Sequence, residues 1–191
     1  MTSHTRILAT LALGLMVVTP VGAADTAAWK LDGAKSQLSF SGTQIGKKFD
    51  GKFTRYQAAI SFDPDHPEQG RIAVDVDLAS AVTGDPQRDS ALPGKEWFDV
   101  AEFPKAKFES TSIRKVSGSS FEAAGTLTLR GATHPLTLPF TLDVNGSTAH
   151  AKGHASLVRT AFGIGQGAWG SDQWVAFDVG IDIDVSATKG E

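Results

Sequence analysis

The chain has 191 residues, with 18 basic and 21 acidic side chains, 20 glycines, 41% hydrophobic residues and no cysteine. These values fit one globular domain and exclude a collagen-like, low-complexity or disulfide-stapled chain. The lack of cysteine rules out thiol nucleophiles, thiolate metal sites and iron–sulfur clusters. A formal net charge of −3 argues against a basic surface for nucleic acid.

Residues 1–23 have the pattern of a cleaved secretory signal peptide. Arg6 precedes an uncharged apolar run from Ile7 to Val18, and small residues follow Pro20 up to Ala23. The run is shorter than the roughly 20 apolar residues that a membrane-spanning helix needs, which argues against a retained anchor. We therefore predict a signal peptide over 1–23 and one exported domain over 24–191.

From residue 37 onward, apolar and polar side chains alternate with the two-residue period of β-strands. The alternation changes phase near Thr54-Arg55, which predicts a bulge in the second strand. The sequence predicts eight strands, at residues 37–42, 49–62, 72–78, 106–116, 121–130, 136–144, 148–159 and 175–185.

Turn-forming segments separate these strands, and Asn145-Gly146 is the strongest hairpin signal among them. The strands should therefore pair in antiparallel fashion. One short helix is predicted where Asp85 can cap and Pro86 can take the first helical position, with Pro93-Gly94 ending it. The predicted architecture is an up-and-down barrel or a sandwich with this helix between strands.

Motifs for a nucleotide or a metal occur without the structural context that they need. Gly165 to Gly170 matches the dinucleotide fingerprint, but a strand follows it where a helix is required. His150 and His154 would lie about 13 Å apart along a strand, too far apart for one ion. No nucleophile elbow is present, and the paired carboxylates lie on polar strand faces. The sequence therefore predicts no metal site and no hydrolase.

The apolar strand faces, which would line a barrel, contain no side chain that titrates near neutral pH. Acid–base catalysis needs such a group in the pocket, so the interior favours binding over catalysis. Small residues at 123, 125 and from 149 to 155 would leave room for a ligand. Phe40, Phe108 and Phe140 could fill the same space, and the sequence alone leaves both alternatives open.

Short motifs over most of the chain resemble those of the YceI-like family. They include Trp29-Lys30-Leu31-Asp32, Gly51-Lys52-Phe53, Trp97-Phe98-Asp99, Gly125 to Gly131 and Arg159 to Gly165, in that order. The resemblance implies a lipocalin-like antiparallel barrel in the bacterial periplasm that encloses a long isoprenoid, such as a polyprenyl phosphate or an isoprenoid quinone. It implies no enzyme activity and no required cofactor. Because family members are often dimeric or encoded with cytochrome b561-type membrane proteins, it also points to a homodimer and to such a redox partner.

We expect Arg88 and Arg159, which flank apolar segments, to contact an anionic head group. The residues expected to line the cavity are Phe40, Phe53, Val76, Leu78, Leu92, Trp97, Phe98, Phe108, Leu127, Phe140, Phe162 and Phe177. Two other functions stay open. One is an adaptor for a membrane redox partner with a filled barrel, and the other is an enzyme acting on a small lipid, which would need titratable groups inside.

Overall fold

The computed structural model describes residues 26–190, so the predicted signal peptide lies outside the described residues. The chain forms one antiparallel sheet that closes on itself. Its strands are β1 (Ala28–Leu31), β2 (Gln37–Gln44), β3 (Lys47–Phe53), β4 (Tyr56–Ser61), β5 (Arg71–Asp77), β6 (Ala81–Val82), β7 (Lys105–Ser117), β8 (Ser120–Leu129), β9 (Ala132–Asn145), β10 (Thr148–Val158) and β11 (Asp178–Lys189). Among residues 26–190, no helix has the length and apolar character needed to cross a bilayer.

Eight of these strands form a closed ring in the order β1-β4-β5-β7-β8-β9-β10-β11. The ring closes where β11 pairs with β1, from Trp29 opposite Lys189 to Leu31 opposite Ala187. The other three strands extend it, because β2 pairs with β11, β3 with β2 and β6 with β3. Since β1 leads into β2, β3 into β4 and β5 into β6, the eleven segments make eight strands, three of which are interrupted. The predicted eight-stranded antiparallel barrel is confirmed, and the sandwich alternative is wrong.

The structure also places the predicted local features. The interruption at Thr54-Arg55 separates β3 from β4. The short helix α1 (Pro86–Ala91) begins after Asp85, whose carboxylate accepts hydrogen bonds from the backbone N–H groups of Gln87 and Arg88. Strand β1 was not predicted, because the four residues Ala28–Leu31 are too few to show a two-residue period.

Aromatic side chains close the lower end of the barrel, the end that carries the Asn145-Gly146 turn. The Trp29 indole N–H donates to the Phe62 carbonyl at 2.8 Å. The Phe62 ring packs edge-on against Phe121, with ring centroids 5.4 Å apart, and Phe121 stacks on Phe140. These side chains belong to one buried hydrophobic cluster at the lower end.

The opposite, upper end is organised around Arg159, which is only 1% exposed. Its guanidinium lies 5.7 Å from the Trp97 ring centroid and 5.4 Å from that of Phe177. It donates to backbone carbonyl oxygens of the segment that follows it, those of Ile164, Gly165, Trp169, Ser171, Val175 and Ala176, at 2.8 to 3.4 Å. Burial lowers the pKa of Arg159 from its usual value, yet a guanidinium stays charged at neutral pH. Arg159 therefore holds residues 159–177 in place as the upper rim.

We predict that Arg159→Lys lowers the free energy of unfolding by about 3 kcal/mol, because an ammonium has three donors and lacks the planar fork that reaches these carbonyls. Urea unfolding followed by circular dichroism measures the change. Arg55→Lys is the matched control, since Arg55 forms an exposed pair with Asp77 and should change stability by less than about 0.5 kcal/mol. Equal losses in the two variants would contradict the role given to Arg159.

Candidate ligand-binding site

Two adjoining cavities lie inside the barrel, an upper chamber of about 180 Å³ and a lower chamber of about 120 Å³. Both are lined by the same five residues at their junction, Leu38, Val74, Phe108, Leu138 and Ile183. These side chains form a waist between the chambers. The interior therefore holds two adjoining apolar cavities, which argues against the filled barrel of the adaptor alternative.

Some of the small residues create this space and others do not. Ala155 lines the upper chamber, and Ala149 and Ala151 line the lower one. Ala123, in contrast, is fully buried. A Cβ atom on Gly125 would lie 2.2 Å from the carbonyl oxygen of Glu109 on the neighbouring strand. The small residues of β10 thus open the interior, whereas those of β8 allow close packing against β7.

The chamber walls are almost entirely apolar. Lys107 points its ammonium outward, where the Glu109 carboxylate lies 3.0 Å away and raises the pKa of Lys107. The Tyr56 hydroxyl, on a ring that lines the lower chamber, is buried and has no hydrogen-bond partner among the described residues. Burial raises the Tyr56 pKa from its usual value, so the phenol stays neutral. Neither chamber contains a group suited to acid–base catalysis near neutral pH.

Ten of the twelve residues expected to line the cavity do so. Eight line the upper chamber, Phe140 lines the lower one and Phe108 lies at the waist; the eight are Phe40, Phe53, Val76, Leu78, Leu92, Trp97, Phe98 and Leu127.

Phe162 and Phe177 were expected to line the cavity, but neither side chain lines a chamber. Phe162 belongs to a 3₁₀ turn, Arg159–Phe162, and packs edge-on against His134 with centroids 5.0 Å apart. Phe177 precedes β11 and packs against the Arg159 guanidinium. Phe177 follows the alternation of the predicted strand 175–185 but lies outside the observed β11, and Phe162 lies beyond the predicted strand 148–159.

The head-group role expected of Arg159 is likewise not what its contacts support, because its donors already bind rim carbonyls. Arg88 is placed differently, beside the wall of the upper chamber. Its guanidinium lies 4.6 Å from the centroid of Phe49, a lining residue, and donates to the Gln44 side-chain oxygen at 3.0 Å. Lys47 lies opposite Gln44 in the β2–β3 pairing. We call Gln44, Lys47, Phe49 and Arg88 the mouth.

Phe49 and Lys47 were not predicted as site residues. The signal was present, since Phe49 shares its parity on β3 with Phe53, which was predicted to line the cavity. Lys47 continues the same parity at the strand end. Which strand end carries the opening depends on barrel closure, and no local pattern in the sequence encodes that.

The outer surface of β10 and β11 carries a constellation that resembles a hydrolase triad. His154 Nδ1 lies 2.7 Å from an Asp182 oxygen, and its Nε2 lies 3.4 Å from the Ser156 hydroxyl. All three residues are exposed on the face of a paired strand, where the backbone N–H groups are used in the sheet ladder. An oxyanion could find no pair of free donors there. The triad geometry alone therefore does not make this surface an active site.

The second histidine of this surface is also paired to a carboxylate, since His150 Nε2 lies 2.6 Å from Asp184. His150 and Lys152 hold the pKa of Asp184 below its usual value. Within residues 26–190, no cluster of three or more histidine or acidic side chains is arranged to hold a metal ion. The outward histidines and carboxylates thus pair with one another across the strands.

Comparison with known proteins agrees with this architecture. A family model described as the YceI-like domain matches residues 29–187. A protein of Pseudomonas savastanoi named only as a UPF0312 protein is 30% identical over 184 residues, covering 92% of this chain and 95% of the relative. The crystal structure of Burkholderia cenocepacia BcnA is 33% identical, covers 83% of this chain and 100% of that one, and superposes with a TM-score of 0.81.

A polyisoprenoid binding domain from Saccharophagus degradans, implicated in plant cell wall breakdown, shares the fold. It superposes with a TM-score of 0.68 at 14% identity, over 86% of this chain and 99% of that one. The family match spans the ring from β1 to β11 and therefore includes every strand that lines the two chambers. This chain belongs to the YceI-like family.

Proposed function

We propose that this protein is a periplasmic carrier that encloses an isoprenoid chain in the two chambers and holds the head group at the mouth. The observation that carries the proposal is the pair of adjoining apolar chambers, whose lining among residues 26–190 offers no group suited to acid–base catalysis near neutral pH. The polyisoprenoid binding domain with the same fold supports the choice of ligand. Family and fold favour a binding protein over an enzyme. No cofactor other than this ligand is part of the proposal.

The chamber volumes favour a thin chain over a bulky ring system. An apolar protein cavity of about 150 Å³ holds one benzene molecule, so each chamber accepts on the order of one five-carbon isoprene unit. Each methylene removed from water contributes roughly 0.8 kcal/mol, so a short buried stretch already gives useful affinity.

Different residues of the site favour different head groups. Arg88 and Lys47 place cationic side chains beside the opening, which favours a polyprenyl phosphate. The unpaired Tyr56 hydroxyl beside the lower chamber favours instead a ligand with a buried acceptor oxygen, such as a quinone. We favour the phosphate, because Arg88 can bind it where the head group would stay partly hydrated. A homodimer and a cytochrome b561-type partner remain predictions from the family resemblance.

We predict that Ala155→Phe, which places a ring in the upper chamber, reduces the co-purified isoprenoid at least tenfold. Native mass spectrometry and solvent extraction of the protein exported by a bacterial host measure the bound lipid. Ala59→Phe on the outer face of β4 is the matched control and should retain it. Recovery of empty wild-type protein that also takes up no added polyprenyl phosphate would overturn the proposed function.

We further predict that Arg88→Gln weakens binding of a polyprenyl phosphate about tenfold. Binding of a neutral quinone should weaken by less than twofold, because only the anion loses a charge-assisted hydrogen bond. Titration monitored by tryptophan fluorescence gives both affinities. Arg114→Gln is the control, since Arg114 pairs with Glu122 on the outer surface. Equal losses for the two ligands would assign Arg88 a structural role instead.

A further inference from the structure

The turn between β2 and β3 holds an exposed apolar side chain in an unfavourable backbone conformation. Ile45 and Gly46 have φ values of +49° and +72°. A two-residue turn with both φ values positive favours Asn, Asp or Gly, and a β-branched residue there is strained. The Ile45 side chain is nonetheless 65% exposed, so packing in the monomer does not compensate for the strain. Such strain is often stored where a residue serves a function.

A second exposed apolar side chain lies beside this turn. The Ile45 backbone N–H donates to the Trp174 carbonyl at 2.9 Å, which ties the turn to the upper rim. Trp174 is 45% exposed. The other large hydrophobic side chains exposed among residues 26–190 are all valines, so Ile45 and Trp174 make the most prominent apolar projection in this part of the chain.

Cationic side chains lie next to this projection, although Asp85 lies 3.6 Å from Arg88 and Asp50 is exposed on β3. Lys47 and Lys48 follow the turn and are exposed, and the segment 43–48 contains no carboxylate. Arg88 adds a third cation at the mouth. Asp172 is the one acidic residue in the segment 170–176 that carries Trp174. We call Ile45, Lys47, Lys48 and Trp174 the tip.

We propose that the tip docks the mouth of the barrel onto the surface of an anionic phospholipid bilayer. Tryptophan prefers the bilayer interface because its ring is apolar and its N–H is polar, and lysine stems can lie along apolar surface while their ammonium groups reach lipid phosphates. Each lysine near such a surface strengthens binding severalfold. This inference rests on the proposed function. A barrel whose mouth lies against the bilayer would let the isoprenoid pass from the bilayer into the chambers without crossing water.

Binding to vesicles tests the docking directly. The exported protein, with the same N-terminus verified by intact mass in all variants, is sedimented with phosphatidylcholine vesicles that contain or lack 30% phosphatidylglycerol. We expect Ile45→Asn to lower the partition coefficient on the anionic vesicles about fivefold while keeping or raising resistance to urea, because asparagine suits the turn. Lys47→Glu with Lys48→Glu should lower it at least tenfold.

Matched controls lie at the lower end of the barrel. Val116→Asn removes an apolar side chain that is 48% exposed there, and Lys30→Glu with Lys189→Glu reverses two exposed charges on the adjacent strands β1 and β11. Both controls should bind like the wild type. Equal effects of tip and control variants, or equal binding to neutral and anionic vesicles, would overturn the proposal. So would a wild-type dimer that Ile45→Asn dissociates, because the tip would then be a self-association surface.

Solvent extraction of the same samples separates this inference from the proposed function. We expect Ile45→Asn to retain bound isoprenoid at the wild-type level and to fail only in docking. Wild-type protein that docks but yields no lipid and takes none up would refute the carrier function and leave the docking surface established. Protein that holds lipid but does not distinguish anionic from neutral vesicles would refute docking alone.

Discussion

The pairing of β11 with β1 is the constraint on which the rest of this structure depends. It joins the last strand to the first and leaves the ring without an unpaired edge. Once the ring is closed, each strand has one face toward a shared interior and one toward solvent. The alternation along β11, with Ile181 and Ile183 inside and Asp182 outside, then separates a dry cavity from a charged surface.

This separation explains why similar side chains have different consequences in different places. Arg159 is buried beneath the upper rim, and its guanidinium donates to backbone carbonyls there. Arg88 lies on a short helix beside the mouth, and its side chain is 28% exposed. Burying a guanidinium is tolerable only when its donors are satisfied, so the more buried arginine is the less available to a ligand. Exposure at the mouth, not positive charge as such, is what makes Arg88 the better candidate for head-group binding.

The strands, their antiparallel order and most of the cavity lining could be predicted from the sequence, because a two-residue period reports directly which side chains share a face. Phe162 and Phe177 show where that inference ends. They lie at the margins of β10 and β11, where a 3₁₀ turn and an irregular rim replace the ladder. The structural role of Arg159 could not be predicted from local patterns either, because the irregular segment that follows it must fold before its carbonyl groups reach the guanidinium.

The two ends of the barrel are built differently. At the lower end, Trp29 is hydrogen-bonded to Phe62 and stacked aromatic rings close the core. At the upper end, residues 159–177 are held by Arg159, and the mouth lies between that rim, α1 and the β2–β3 turn. A ligand that enters from above must advance its apolar end through the waist and leave its polar end near Arg88. The tip lies at this same end, so the proposed entry of the ligand and the proposed docking of the barrel involve the same side of the molecule.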